Sequence, residues 1–426
     1  MLSVHQHWDP LKVCLVGRCY PPEYFNYIQN SKTRDVFYRI AEETEEDFQK
    51  LISVLEKFDV KVIRTDISDN PEDYKRPDGS MKSPPMTPRD YTAMVGSKFF
   101  MPGENFGKNL NLEENIGRLL WGNPLDANRL LDSQKNLLQY IYDLTFPGRP
   151  VSLSTQAMLM KSLRNKPSIH KNILSFLDTE ELKNVAFQGQ TNTIGKVTKY
   201  EHDDKTYPFK TLENFVKDNE NEIIYDQYTN SASMIRVGKD LFFGASNIIN
   251  KLNEDKLMKK WKKLLPDYNY HIIDSPGHTD GHTMPIKPGL ILSTKSPEFY
   301  KDLFPEWEVV TCYKKSMEPW KKLRKKNRSR YWVPDAGDDF YDYVNEWMDD
   351  WVTYAEETIF DINLLMIDEK NVVCNTVNKE AFDTFERHGI TPHIINFRHR
   401  YFWDGGLHCM TSDIDRVGVQ QDFFSL

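Results

Sequence analysis

Cysteine is scarce in this chain of 426 residues. There are five, Cys14, Cys19, Cys312, Cys374 and Cys409, and no two stand as Cys-x-x-Cys. An odd count without paired spacing excludes a complete disulfide framework and disfavours a thiolate zinc knuckle, so reduced thiols and a cytoplasmic setting are expected. Long apolar runs are missing too. Nothing approaches the ~18 consecutive apolar residues of a membrane span, and Met1 to His7 shows no basic stretch followed by an apolar one, so neither a membrane partner nor an export signal is expected. A basic excess is also absent: 55 Lys and Arg stand against 63 Asp and Glu, a net charge of −8. That balance disfavours a nucleic-acid partner, and with 39% hydrophobic residues the chain is not of disordered type.

What is present is alternation. From Glu42, the residues Phe48, Leu51, Ile52 and Leu55 fall at helical spacing and lead into a strand at Val60 to Ile63. The same order recurs at 245–265 leading into Tyr270 to Ile273, and at 379–388 leading, past Gly389 as a stop, into His393 to Phe397. The fold class is therefore α/β. Within it Met94 to Phe100, Ile235 to Phe242 and Met366 to Val373 each read as strand, polar turn, strand, and Gly289 to Leu292 as half of another. If these hairpins are equivalent units of a pseudo-symmetric ring, the polar residues just upstream of each converge on one axis, where chemistry is expected. Chance likeness among hairpins is the alternative.

Lys314 to Arg330 carries nine basic residues, and 335–357 carries nine acidic ones with no Lys or Arg. A polyanion gripped by the first run would be repelled by the second, so this stretch reads as a charged surface insertion. Trp347, Trp351 and Tyr354 suggest an amphipathic helix in its acidic part.

Three short segments could carry chemistry. In Gly405-Gly406-Leu407-His408-Cys409 the glycines allow close backbone approach, and the cysteine that follows is placed like a nucleophile, although buried packing is the commoner fate of a lone cysteine. In His278-Thr279-Asp280 an extended chain would send imidazole and carboxylate into one cavity, a proton shuttle beside a cation-holding anion; a polar turn is the alternative. Pro88-Arg89-Asp90 precedes the first hairpin, and a turn-capping Asp is its plain reading. The segment Ser275 to His282, with His5-Gln6-His7-Trp8-Asp9, also mimics parts of the metal-ligand motifs of metallo-β-lactamase-type hydrolases. Pro10 stands where that motif needs a histidine, and the two segments lie far apart, which leaves a metal-dependent hydrolase as a remote alternative.

With these motifs in order, the sequence resembles the amidinotransferase family, the glycine and inosamine-phosphate amidinotransferases. The likeness runs from Trp8-Asp9-Pro10-Leu11 through Pro88-Arg89-Asp90, Gly238-Lys239-Asp240, His278-Thr279-Asp280 and Leu365 to Lys370, and closes on Gly405 to Thr411. It implies one domain over 1–426, a pentein-like pseudo-fivefold propeller of ββαβ modules with the insertion near 314–357, and no metal or organic cofactor. It also implies ping-pong transfer of an amidino group from an arginine-like donor to an amine such as glycine. Cys409 would be the nucleophile, His278 the acid and base, and Asp280 and Asp90 the holders of substrate. A homodimer is left open.

Three departures follow by counting from these motifs. Asn230 stands where the family has a second catalytic Asp, and could hydrogen-bond a guanidinium or orient His278. Glu356 and Glu357 fall where paired serines bind the donor's amino-acid end. Lys295 is the cation nearest to an expected arginine. A guanidine-modifying hydrolase of the same fold, or a weakened binding protein, is the second expectation.

Overall fold

The computed structural model describes residues 1–76, 80–103, 203–226, 229–244, 251–273, 278–312, 331–348, 351–352, 361–403 and 405–424. The basic run at 314–330, Tyr354, Glu356 and Glu357 lie outside the described residues. Internal contacts divide the chain into two compact units: Met1–Phe106 with His202–Asn247 and Leu257–Leu426, and Gly107–Glu201 with Ile248–Lys256. Of the second, only the helical backbone of 251–256 is described. Among the described residues no helix is long and apolar enough to cross a membrane.

The first unit is built on one repeated plan. Strand β1 (Leu11–Val16), helix α1 (Ser31–Lys57) and strand β2 (Lys61–Arg64) form the first module, with β2 parallel to β1. In the second, β3 (Ala93–Val95) and β4 (Lys98–Met101) make an antiparallel hairpin, and β5 (Glu222–Tyr225), preceded by α2 (Lys210–Asp218), runs parallel to β4. The third has β6 (Met234–Val237), β7 (Asp240–Gly244), α3 (Lys251–Leu264, of which 257–264 belong to this unit) and β8 (Asn269–Ile273) in the same arrangement. The fourth has β9 (Thr283–Lys287), β10 (Leu290–Ser293), the one-turn α4 (Pro297–Tyr300) and β11 (Glu308–Thr311). After an added helix α5 (Asp338–Trp347), the fifth has β12 (Leu365–Asp368), β13 (Asn371–Cys374), α6 (Lys379–His388) and β14 (Thr391–Ile394). A short α7 (Arg400–Trp403) leads to β15 (Thr411–Arg416), which pairs antiparallel with β1 and completes the first module. Among the described residues five three-stranded sheets result, each one antiparallel pair plus one parallel strand.

Burial explains the strand sequences. The first two strands of each module are almost entirely buried, as in Met234–Val237 and Leu290–Ser293, whereas outer strands such as β5 and β14 are half exposed. Strands covered on both faces read as continuous apolar runs, and those at the rim admit charge. The four hairpins anticipated from sequence all form; the pairing of β15 with β1 joins segments nearly four hundred residues apart and has no local signal.

Two boundaries differ from expectation. Helix α1 starts eleven residues before Glu42, at Ser31, because Asn30 caps it by accepting a hydrogen bond from the Thr33 N–H at 3.2 Å and Phe37, Ile40 and Ala41 extend its buried stripe. Strand β14 ends at Ile394, where its partner β13 ends, and Phe397 leaves the sheet to pack edge-on against Phe48. Gly389 stops α6 as expected, in the left-handed region at φ 66°. The acidic stretch forms helix α5, whose Phe340 and Val344 are buried against α1; Trp351 beyond it is buried and stacks on Trp403.

Candidate active site

The loops that precede the five inner strands meet, and they are joined in a closed circuit of hydrogen bonds. From the second module, Arg89 Nε donates to the carbonyls of His408 (2.6 Å) and Thr411 (2.8 Å) in the first. Ser231 of the third donates its N–H to Thr92 O of the second at 3.0 Å. Asp280 of the fourth donates its N–H to Ala232 O of the third at 3.1 Å. Asn363 of the fifth reaches both Asp280 and Cys409. The expected convergence of polar residues upstream of the hairpins is what the fold produces.

At this junction the Cys409 thiol faces Asp280, with Sγ 3.6 Å from Oδ2. That same oxygen accepts from His408 Nδ1 at 2.8 Å and from Asn363 Nδ2 at 3.3 Å. Oδ1 of Asp280 is equally buried and has no hydrogen-bond partner among the described residues. Burial pushes the Asp280 carboxyl up to about 6, against the opposing pull of His278 and Arg89. Burial, reinforced by Arg89, holds the His408 imidazole well below its usual value, so it is neutral and donates through Nδ1–H to the carboxylate.

His278 and Asp280 do not share one extended segment. His278 is extended, but Thr279–Gly281 turn as a 3-10 helix that His278 precedes, because Gly281 and His282 donate back to His278 O and Thr279 O. The pair is therefore split: Asp280 faces Cys409, and His278 Nδ1 lies 3.5 Å from Asp90 Oδ1, another buried oxygen without a hydrogen-bond partner among the described residues. The imidazole is about one-third exposed, which leaves it open to small molecules.

Asn230 accepts from the Ser233 N–H at 3.0 Å and so holds the turn into β6. Lys295 sits after β10, its Nζ 5.4 Å above the Phe299 ring and its own N–H bonded to Ser293 Oγ. No hydrogen bond or ion pair among the described residues links either to Cys409, His278 or Asp280. His7 and His282, from the metal-like segments, are engaged elsewhere: His7 Nε2 accepts from the Arg236 N–H, and His282 Nδ1 meets Thr294 Oγ1.

Two residues at the junction carry no role in the sequence reading. His408 stands inside a motif chosen for its cysteine. Asn363 lies two residues before β12, and the rule that polar residues upstream of each hairpin converge would have selected it over Glu356 and Glu357. Beneath the junction Asp413 is ringed by Arg236 (2.7 Å), Arg416 (2.9 Å) and Arg89 (3.1 Å), all fully buried. Burial pushes the Asp413 carboxyl up, but the three guanidiniums hold it well below the carboxylate range.

No family model matches the chain. Among curated proteins, the mitochondrial glycine amidinotransferase of Xenopus tropicalis is 30% identical over 238 residues, 52% of this chain and 47% of that protein. The L-arginine:L-lysine amidinotransferase of Pseudomonas savastanoi pv. phaseolicola is 23% identical over 198 residues, 45% and 46% of the two. The chain thus spans about half the length of the curated relatives it matches. Two solved structures align over 99% of both chains at 16% identity: the amidinotransferase SxtG of Microseira wollei, with a TM-score of 0.52, and the inosamine-phosphate amidinotransferase of Streptomyces griseus, with 0.50. The chain has the pentein-type, pseudo-fivefold α/β propeller of these enzymes, and in sequence it is similar to the amidinotransferases.

Proposed function

We propose that this protein transfers an amidino group from an arginine-like guanidino donor to an amine through a covalent adduct on Cys409. The observation that carries the reading is the pair of buried carboxylates, Asp280 beside the thiol and Asp90 beside His278, each with an oxygen that no described residue satisfies. An unmet buried carboxylate oxygen costs free energy until a donor arrives, and a guanidinium offers five N–H groups in one plane. Held against Asp280, its central carbon would face Sγ.

In the first half-reaction the Cys409 thiolate attacks the guanidinium carbon and a C–S bond forms. The C–N bond to the donor's amine then breaks as His278 gives that nitrogen a proton, leaving an amidino-cysteine. In the second, His278 takes a proton from the acceptor amine, whose nitrogen attacks the same carbon and expels the thiolate. Asp90, whose Oδ1 lies 3.5 Å from His278 Nδ1 without a hydrogen bond to it, would stabilise the imidazolium electrostatically when His278 carries the proton. Glycine and lysine, the amines in the names of the relatives, are the first acceptors to try.

The test is intact-mass measurement after adding arginine without an amine. A gain of one amidino group, lost when Cys409 is replaced by alanine and discharged by an acceptor amine, is expected. Steady release of urea with ornithine, from water discharging the amidino-cysteine, or of citrulline with ammonia, from loss of the terminal nitrogen, would without any amine instead indicate hydrolysis, and no adduct with any guanidino donor would reject the covalent reading.

A further inference from the structure

Asn363 is fully buried, and its side chain makes four hydrogen bonds to three residues. Its Oδ1 accepts from the backbone N–H groups of His408 (3.1 Å) and Cys409 (3.2 Å), which settles which end of the amide is oxygen. Its Nδ2 therefore points the other way, 3.1 Å from Cys409 Sγ and 3.3 Å from Asp280 Oδ2. The two N–H bonds of one amide nitrogen thus serve the nucleophile and the neighbouring carboxylate.

We propose that Asn363 is a further catalytic residue, an uncharged bridge that lets the Cys409 thiolate and the Asp280 carboxylate exist side by side. As a thiol, Cys409 can donate its S–H to Asp280. As a thiolate it has nothing to donate, and two anions then stand 3.6 Å apart in a buried site. Such a pair ordinarily raises the pKa of one member until it takes up a proton. A donor shared between them offsets that repulsion without adding a positive charge to compete with the substrate's guanidinium. The backbone anchors on Oδ1 keep the amide from flipping, so donation toward both anions is built in before substrate arrives.

Among the described residues, the charged or titratable groups near Cys409 are engaged elsewhere. His408 is neutral and already committed to Asp280; His278 and Asp90 face each other; Arg89 binds the His408 and Thr411 carbonyls and Asp413, below the turn. The inference rests on Cys409 being the nucleophile of the proposed reaction.

The experiment is the pH dependence of Cys409 alkylation by iodoacetamide, read by peptide mass on the full chain, for wild type, Asn363→Ala and Asn363→Asp. Wild type should show an inflection below the ~8.5 of a free thiol. Asn363→Ala should move it up, and Asn363→Asp, which keeps the shape but adds a third anion, should move it up by at least one unit. Alkylation at pH 7 should then be slowed roughly tenfold or more. A merely structural role would change the rate without moving the inflection, and equal inflections in all three proteins would overturn the proposal. If neither variant folds, the wild-type profile decides: an inflection at or above that of a free thiol is incompatible with a stabilised thiolate. Because alkylation needs no guanidino donor, failure to find amidino transfer would count against the proposed reaction and leave this result standing.

Discussion

A Cβ placed on Gly406 would fall inside the van der Waals envelope of the Asn363 side chain, overlapping its amide oxygen, Cβ and Cγ. The glycine three residues before Cys409 is therefore required by the asparagine that holds the Cys409 backbone. Its neighbour Gly405 is less confined: an added Cβ would meet the Thr87 methyl at 3.2 Å and the Cys409 Cβ at 3.4 Å.

The two glycines should consequently respond differently to alanine. Gly406→Ala must displace Asn363 and with it the contacts to Cys409 and Asp280, so it should cost roughly 1–3 kcal/mol of stability and most of the thiol's reactivity. Gly405→Ala needs only a small shift of a side-chain methyl and should stay within about 1 kcal/mol. Urea unfolding together with iodoacetamide reactivity checks both; equal effects would show that the crowding at Gly406 is relieved elsewhere.

Asp280 should trade stability for function. Its carboxyl titrates near 3.8 when unfolded and is raised to about 6 when folded. Between these values the folded state binds more protons, so stability falls as pH rises from about 4 to about 6, and the cost is complete above 6. Asp280→Asn should then stabilise the protein by roughly 2–3 kcal/mol at pH 7 and by little at pH 4. On the proposed function the same change would remove a charge-assisted contact to the guanidinium, and kcat/KM should drop roughly 10- to 100-fold. In wild type kcat/KM should decline below about pH 6 as Asp280 takes up its proton. Denaturation curves at the two pH values, with kinetics on arginine, test each part.

Asp413 should behave in the opposite way. It is the carboxylate among Arg89, Arg236 and Arg416, all buried, and these hold it ionised. Asp413→Asn would leave the three guanidiniums without that countercharge and should destabilise by about 3–5 kcal/mol. Chemical denaturation near neutral pH measures this, and a cost below about 1 kcal/mol would mean that other groups neutralise the cluster.

Cysteine labelling should be selective in the folded protein. Burial pushes the thiols of Cys14, Cys312 and Cys374 up to about 12 and that of Cys19 higher still. Only thiolates alkylate at useful rates. Iodoacetamide at pH 8 should therefore modify Cys409 first, with the other four reacting only on unfolding; peptide mapping that finds Cys14 or Cys374 labelled early would contradict this.

Local pattern was enough to define the repeating unit. Helical spacing from Phe48 to Leu55, Gly389 as a stop, and the strand, turn, strand runs around Gly96, Gly238 and Asp368 are short-range signals, since side chains a few residues apart on one element either share a buried face or do not. The same repeat pointed to the loops upstream of each hairpin, where Asp280 and Asp90 were legible as chemically capable residues, and Cys409 was legible from the glycine pair ahead of it. Which residues face one another was not. The pairing of β15 with β1, the turn that sends His278 toward Asp90 and Asp280 toward Cys409, and the seat of Asn363 over Gly406 depend on contacts between modules far apart in the chain. Asn230 shows the limit of counting along a family motif, because its side chain is spent on the Ser233 N–H and the carboxylate beside His278 comes from another module. Sequence alone determined the modules and the kinds of groups they carry. The tertiary structure decided the partners, because ring closure brings five separate loops within hydrogen-bonding distance, and only there do burial and neighbouring charge set the protonation of Asp280, His408 and Asp413.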